Sequence, residues 1–294
     1  MFGQLSGDRR VTLAAFGVCS LIAVGVGAWV CARHGLPARL WGLNLAAWMM
    51  GGVAAFVLGR ATAAKSGWIV VYGTPLLLAA SLAFPGRDGV HRWISAGPVQ
   101  ANIAMLILPM FVVALAATRS GQVKRWLAAL ACLLVLGLQP DASQATALGL
   151  ALTVILAAEA LPARWRLVGL VAIWGLVAWT WVRPDPLEPA PAVEEILRLA
   201  AGQSTLLAAL GGLALAVSCL VPLTAAGSPA GKMAGRALAA LLLGAAAGPA
   251  LGHFPTPLVG IGLSPILGAW LGVGLLCAVM AEGERSLPSA VRTR

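Results

Sequence analysis

The sequence has few charged side chains for its length. Only 10% of its 294 residues are charged and 60% are apolar, whereas a soluble domain carries about 25% charged residues. So few polar groups cannot cover the surface of a water-soluble globule of this size. The composition therefore excludes a soluble enzyme, a disordered tail and a free nucleic-acid-binding domain. It predicts an all-α, polytopic integral membrane protein.

Several chemical patterns are also missing. The apolar runs contain almost no acidic residues, which argues against an ion-driven transporter or a voltage sensor, because both place charge inside the membrane. The five cysteines show no paired spacing, and the three histidines fall in connections without the spacing of a zinc site. Neither a disulfide framework nor a metal site is predicted.

Long apolar runs dominate what is present. A membrane-spanning helix needs about 20 mostly apolar residues, and ten segments qualify, with ends uncertain by several residues. The predicted spans are 11–31, 40–59, 67–84, 99–118, 124–138, 143–160, 166–182, 204–223, 235–252 and 259–281.

The basic residues predict an orientation for these spans. If the N-terminus is cytoplasmic, 14 of the 20 Lys and Arg residues fall in cytoplasmic segments and 6 in outer segments. Cytoplasmic loops carry an excess of Lys and Arg, so both termini are predicted to be cytoplasmic. The chain is predicted to be one transmembrane domain over 1–294, with its longest outer loops at 85–98 and 183–203.

Two helices carry glycines at a spacing of four. Gly244, Gly248 and Gly252 form one such stripe, and Gly268 and Gly272 form another. Small residues at this spacing let helix backbones approach closely. We expect them to pack helices together, with a dimer interface as the alternative.

Ionisable groups are concentrated in the predicted outer loops. In the first loop, Arg87, Arg92 and Trp93 could grip an anionic head group, because guanidinium pairs with phosphate in a forked geometry. Alternatively, they anchor the chain at the membrane interface. In the second loop, four prolines precede a predicted helix start at Val193. Glu194 there is either a catalytic residue or a residue that complements the helix dipole.

Three short sequence motifs occur one after another along the chain. Residues 89–94 read Gly-Val-His-Arg-Trp-Ile, residues 139–141 read Gln-Pro-Asp, and residues 257–265 read Pro-Leu-Val-Gly-Ile-Gly-Leu-Ser-Pro. Taken alone, the second motif is a turn in which Pro ends one helix and Asp caps the next. Together with the ten spans, the motifs resemble the SEDS family, the shape, elongation, division and sporulation proteins that include RodA and FtsW.

The resemblance implies a peptidoglycan glycosyltransferase in the bacterial inner membrane that polymerises lipid II at the outer face. Aligning on Ile196 places Glu194 where the family has its key Asp, which implies a general base. Arginines or a divalent cation would stabilise the leaving polyprenyl diphosphate. The resemblance also implies a class B penicillin-binding protein as partner. The substrate-binding residues it suggests are Arg87, Arg92, Trp93, Gln139, Asp141 and Arg183.

Some family motifs are altered in this chain. The family's polar Ser-Tyr-Gly-Gly-Ser stretch in the last span corresponds to the apolar residues 267–271 here. Two other functions therefore stay open. One is a non-catalytic scaffold that binds a penicillin-binding protein or a polyprenyl lipid, and the other is a lipid-carrier flippase.

Overall fold

The computed structural model describes residues 7–61, 67–96, 99–118 and 123–286. Within these ranges the chain forms eleven α-helices, one 3₁₀ helix at Val221–Thr224 and one two-stranded β-hairpin. The helices are α1 (Gly7–Arg33), α2 (Ala38–Leu58), α3 (Gly67–Ser81), α4 (Ile103–Ala117), α5 (Val123–Leu138), α6 (Ala142–Ala157), α7 (Ala163–Trp181), α8 (Ile196–Gln203), α9 (Thr205–Leu220), α10 (Pro229–Leu251) and α11 (Leu263–Ser286). The strands are β1 (Trp93–Ala96) and β2 (Val99–Asn102).

Each of the ten predicted spans falls on one of these helices, and α8 is the additional one. In the described ranges, five helical segments are long and apolar enough to cross a membrane. They are α1, α2, α10, most of α11, and α9 together with the 3₁₀ helix. Helices α3, α4 and α6 are apolar but shorter. The number of crossings stays a prediction.

The connections between helices lie at two opposite ends of the bundle. At one end, Arg92 beside the hairpin donates to the carbonyl of Gln139, which follows α5. At the other end, Arg9 near the start of α1 donates to the carbonyl of Gly59, which follows α2. We call these the hairpin end and the opposite end. The predicted outer loops lie at the hairpin end.

Which end faces the cytoplasm stays a prediction, as do the positions of the termini. Lys65, Arg119, Arg292 and Arg294, which contributed to the charge count, lie outside the described residues.

The glycine stripes mostly pack helices within the chain. A Cβ on Gly244 of α10 would lie 2.7 Å from the Cα of Ala147 in α6. A Cβ on Gly272 of α11 would lie 2.7 Å from the Cβ of Pro109 in α4. Side chains at these glycines would force the helices apart. Gly252 differs, because its nearest neighbour is the Phe254 ring just beyond α10.

The hairpin corrects one sequence prediction. The fourth span was predicted to begin at residue 99, but residues 99–102 form β2, which pairs antiparallel with β1 from Trp93↔Asn102 to Ala96↔Val99. Helix α4 begins only after Asn102, whose side chain caps it by accepting from the Met105 N–H at 3.0 Å.

The helix predicted to begin at Val193 is also corrected. Residues 191–195 form a turn and α8 begins at Ile196, so Glu194 precedes the helix and does not lie in its first turn. The N–H of Glu194 donates to the Ala190 carbonyl at 3.0 Å, and the N–H of Glu195 donates to Pro191 at 3.0 Å. These bonds close a turn ahead of α8.

Candidate active site

The turn that carries Glu194 is fastened to the chain between α10 and α11. The N–H of Thr256 donates to the Val193 carbonyl at 2.9 Å, and its hydroxyl donates to the Glu194 carbonyl at 2.9 Å. The N–H of Ile261 donates to the Ala192 carbonyl at 2.9 Å. Three hydrogen bonds therefore fix the backbone of this turn.

Buried polar side chains hold the α10–α11 connection in turn. The side-chain amide of Asn44 in α2 donates to the Gly260 carbonyl at 2.9 Å and accepts from the Gly262 N–H at 3.1 Å. The Ser264 hydroxyl accepts from the N–H of Asn102 in β2 at 2.9 Å. This connection therefore joins α2, the hairpin and the Glu194 turn at one place.

A cleft of about 240 Å³ opens between these segments. One wall carries Arg87, which donates to the Gln100 side chain at 2.6 Å, and its guanidinium lies 5.6 Å from the centre of the Trp93 ring. Glu194 and Glu188 line the wall formed by the second outer loop. We call this space the arginine cleft.

Glu194 also lines a second, larger cleft of about 610 Å³. Its other polar lining residues include Glu195, Arg198, His253 and Thr256. Arg198 and Glu195 form an ion pair at 3.4 Å within it. We call this space the histidine cleft. Glu194 therefore lines both clefts.

The Glu194 carboxylate is half-buried and partly hydrogen-bonded. Its Oε2 accepts from the Ala190 N–H at 2.5 Å. Burial raises the pKa of this carboxyl group, and the nearby Glu195 charge raises it further. The Ala190 hydrogen bond and the positive field of His253 oppose that rise in pKa but do not cancel it. A carboxylate with a raised pKa suits proton transfer near neutral pH.

Arg92 lies apart from both clefts, in a buried network. Its Nε donates to the Gln139 carbonyl at 3.1 Å, and its Nη2 donates to the Pro140 carbonyl. The same Nη2 pairs with Asp185 at 2.6 Å, and Nε lies 3.8 Å from the Asp141 carboxylate. Arg92 is 6% exposed and Asp141 is 2% exposed. This network joins the hairpin, the α5–α6 turn and the second outer loop.

The side chains of Gln139 and Asp141, from the Gln-Pro-Asp motif, also form hydrogen bonds within the protein. The Gln139 side chain donates to the Leu78 carbonyl at 3.0 Å and to the Ser81 hydroxyl at 2.7 Å. Asp141 caps α6 by accepting from the Gln144 N–H at 3.3 Å, as expected from the sequence.

Arg183 takes a third position. It is exposed just after α7, and its guanidinium lies 5.7 Å from the Trp179 ring centre. The structure therefore brings Arg87, Trp93 and Glu194 together, groups Arg92 with Gln139 and Asp141, and leaves Arg183 on the rim of the bundle.

The described residues also bear on the divalent cation that the resemblance allows. No group of three or more His, Cys, Asp and Glu side chains among them is arranged to hold a metal ion. That cation therefore has no such ligand cluster among these residues.

Comparison with solved structures identifies the fold. No protein-family model matches the chain, and no curated protein matches its sequence. A structure of the rod shape determining protein RodA from Thermus thermophilus, an Asp-to-Ala mutant, matches with a TM-score of 0.64 and 21% identity, covering 95% of this chain and 98% of that one. The chain has the RodA fold. A second RodA structure from the same organism matches with a TM-score of 0.61 and 22% identity, covering 95% of this chain and 97% of that one.

A further structure with this fold comes from a peptidoglycan synthase complex described as coordinating polymerization and crosslinking. It matches with a TM-score of 0.62 and 22% identity, covering 90% of this chain and 97% of that one. The RodA fold and the apolar helices together confirm the predicted all-α, multi-pass membrane protein.

Sequence reasoning missed several residues that build the clefts of this RodA-like fold. Asn44, Thr256 and Ser264 act through backbone contacts between distant segments, so no local pattern marks them. His253 is one of the three histidines in connections that show no zinc-site spacing, and it lines the histidine cleft beside Glu194. Asp185 was not singled out, although it pairs with Arg92.

Proposed function

We propose that the chain is a SEDS-type glycosyltransferase of the bacterial inner membrane that polymerises lipid II at the outer face. The observation that carries this proposal is the position of Glu194, a half-buried carboxylate with a raised pKa between two clefts. Arg87 lines one of these clefts, and Arg198 lines the other. The RodA fold supports the same proposed function.

In the proposed reaction, a hydroxyl of the acceptor sugar attacks the anomeric carbon of the donor. Glu194 removes the hydroxyl proton as the new C–O bond forms, so it acts as general base. The bond between the anomeric carbon and the diphosphate oxygen breaks, and undecaprenyl diphosphate leaves. Arg87 stabilises the negative charge that develops on this leaving group.

Two further roles follow from the positions of the side chains. The Trp93 ring lies 5.6 Å from the Arg87 guanidinium and would help to hold it at the arginine cleft by a cation–π contact. Arg92, Gln139 and Asp141 position the hairpin and the second outer loop, because each of the three side chains already makes a hydrogen bond within the protein. Arg183, at the rim of the bundle, would contact the diphosphate or the lipid surface.

The partner we propose is a class B penicillin-binding protein. This rests on the likeness to a chain of a peptidoglycan synthase complex that coordinates polymerization and crosslinking. The whole bundle would sit in the bilayer, with the hairpin end on the outer side.

A non-catalytic scaffold is the second candidate. The specific observation in its favour is that Arg92 is sealed inside the protein by Asp185 and by backbone carbonyls. Only Arg87, of the two arginines in the first loop, lines the arginine cleft.

Polymerisation of lipid II by the purified full chain, alone and with a penicillin-binding protein, tests the proposal. We expect glycan strands from the unaltered protein and at least a hundredfold loss in Glu194→Gln, because the amide cannot accept the proton. Asp88→Asn is a matched control, since Asp88 is an exposed carboxylate beside the hairpin, and it should retain activity.

Two outcomes would contradict this assignment. Full activity in a correctly folded Glu194→Gln protein would remove Glu194 from the mechanism. An unaltered protein that binds a penicillin-binding protein but forms no strands would favour the scaffold.

A further inference from the structure

Two adjacent grooves flank the first turns of α7 at the opposite end of the bundle, far from the clefts. The first has a volume of about 470 Å³ and lies between α5 and α7. The second has a volume of about 310 Å³ and lies between α6 and α7. Leu156 of α6 lines both. Neither groove has a role in the function proposed above.

The lining of both grooves is apolar and faces outward. In the first groove, Leu127, Trp165 and Val168 are each more than half exposed. Leu167 in the second groove is 62% exposed. Within a membrane, these surfaces contact acyl chains and not water.

The one acid in the first groove is already neutralised. Glu159 forms a buried ion pair with Arg125, whose Nη1 also donates to the carbonyls of Leu115 at 3.1 Å and Thr118 at 3.0 Å. The groove therefore presents no uncompensated negative charge to a ligand.

The ends of the grooves are positively charged. Lys124 is exposed in the first turn of α5, and Arg164 and Arg166 are exposed in the first turn of α7. Helix α7 has no acid in its first turn, and Pro162 at its N-cap makes no side-chain capping bond. The N–H groups at this helix start add to the positive potential.

The grooves suit one lipid better than a partner helix. Along α7 the first groove runs from Trp165 to Ile173, which is about 12 Å of helix. A membrane-spanning partner helix would need a surface matching the hydrocarbon core of about 30 Å. A groove of about 12 Å fits within a single leaflet, and the presence of two grooves matches a lipid with two chains.

We propose that these grooves hold the two acyl chains of one anionic glycerophospholipid, with its phosphate at the start of α7 beside Arg164 and Arg166. Basic pockets between membrane helices bind anionic head groups in this manner. Lys124 reaches the same head group from α5. The site is independent of Glu194, so it stands whether or not the chain polymerises lipid II.

Native mass spectrometry of the purified full chain tests this site. The probes are phosphatidylglycerol and phosphatidylcholine with identical acyl chains. We expect the unaltered protein to retain phosphatidylglycerol preferentially. Arg164→Gln and Lys124→Gln should each lower that retention about fivefold, because each basic side chain near a head group contributes a comparable electrostatic term.

A second variant tests the grooves themselves without changing charge. Val168→Trp fills the first groove from its lipid-facing side and should lower phosphatidylglycerol retention about tenfold, since it displaces several methylene groups of the lipid. Arg10→Gln is the matched control, because Arg10 is exposed at the same end but belongs to α1, which contributes no residue to either groove. It should leave retention unchanged.

Equal retention of the two lipids by the unaltered protein would overturn the proposal. So would a loss in Arg10→Gln as large as that in Arg164→Gln, because that would indicate general attraction to a basic surface. Preferential retention of a polyprenyl phosphate or a polypeptide at these grooves would assign them to another occupant. Glu194→Gln should bind phosphatidylglycerol normally.

Discussion

Two arginines of the first outer loop, Arg87 and Arg92, are five positions apart and occupy opposite environments. Arg87 is exposed in the arginine cleft and contacts the Gln100 side chain and the Trp93 ring. Arg92 is 6% exposed and contacts two carbonyls and two carboxylates. An exposed cation can meet a substrate, whereas a buried cation that bonds to several segments holds those segments in place. The comparison therefore separates binding from positioning within one short loop.

The largest expected effect comes from Arg92→Ala. Removing this guanidinium leaves the buried Asp141 and the partly exposed Asp185 without their cation, and breaking a fully buried pair costs about 3–5 kcal/mol. We expect a lower unfolding temperature in detergent and easier proteolysis of the loop at 183–195. Thermal unfolding followed by fluorescence, together with limited proteolysis, measures both.

Arg87→Ala is the matched comparison for stability. Because Arg87 is exposed, its loss should change the unfolding free energy by less than about 0.5 kcal/mol. If Arg92→Ala were as stable as Arg87→Ala, the buried network would have no positioning role.

The second-largest expected effect is a loss of catalytic activity when Arg87 is replaced. If the proposed reaction is correct, Arg87→Gln should lower kcat/KM for lipid II polymerisation about a hundredfold, because in that reaction Arg87 stabilises the leaving diphosphate. Arg87→Lys keeps the charge without the forked geometry, and it should recover part of the loss. Steady-state kinetics on folded protein distinguishes these outcomes, and unchanged kinetics in Arg87→Gln would place the diphosphate elsewhere.

Much of the bundle could be predicted from sequence because membrane helices have a strong local signal. Each of the ten apolar runs forms a helix, and the glycines at 244 and 272 pack helices as expected. The hairpin at 93–102 was missed, since four-residue strands beside an apolar run carry too little pattern to separate from a helix start.

The site was predictable only in part, for a different physical reason. The resemblance indicated Glu194, Arg87 and Arg92 as charged groups of the outer loops. Whether each side chain is open or sealed depends on partners far along the chain, such as Asp185 for Arg92. Sequence spacing could not show which of the two arginines would be covered.

The smallest expected effect is a shift in pH dependence, and it tests the Glu194 side of the arginine cleft. A general base must be deprotonated, so activity should rise with pH as Glu194 ionises. Because burial raises the pKa of Glu194, the acid limb of kcat/KM should lie above the ordinary glutamate value of about 4.3. His253 lowers the pKa of Glu194 by its positive charge, so His253→Gln should move the acid limb to still higher pH.

Arg33→Gln changes an exposed cation at the end of α1 that lines neither cleft, and it should leave the limb in place. An acid limb that His253→Gln does not move, or moves to lower pH, would mean that another group sets the pH dependence.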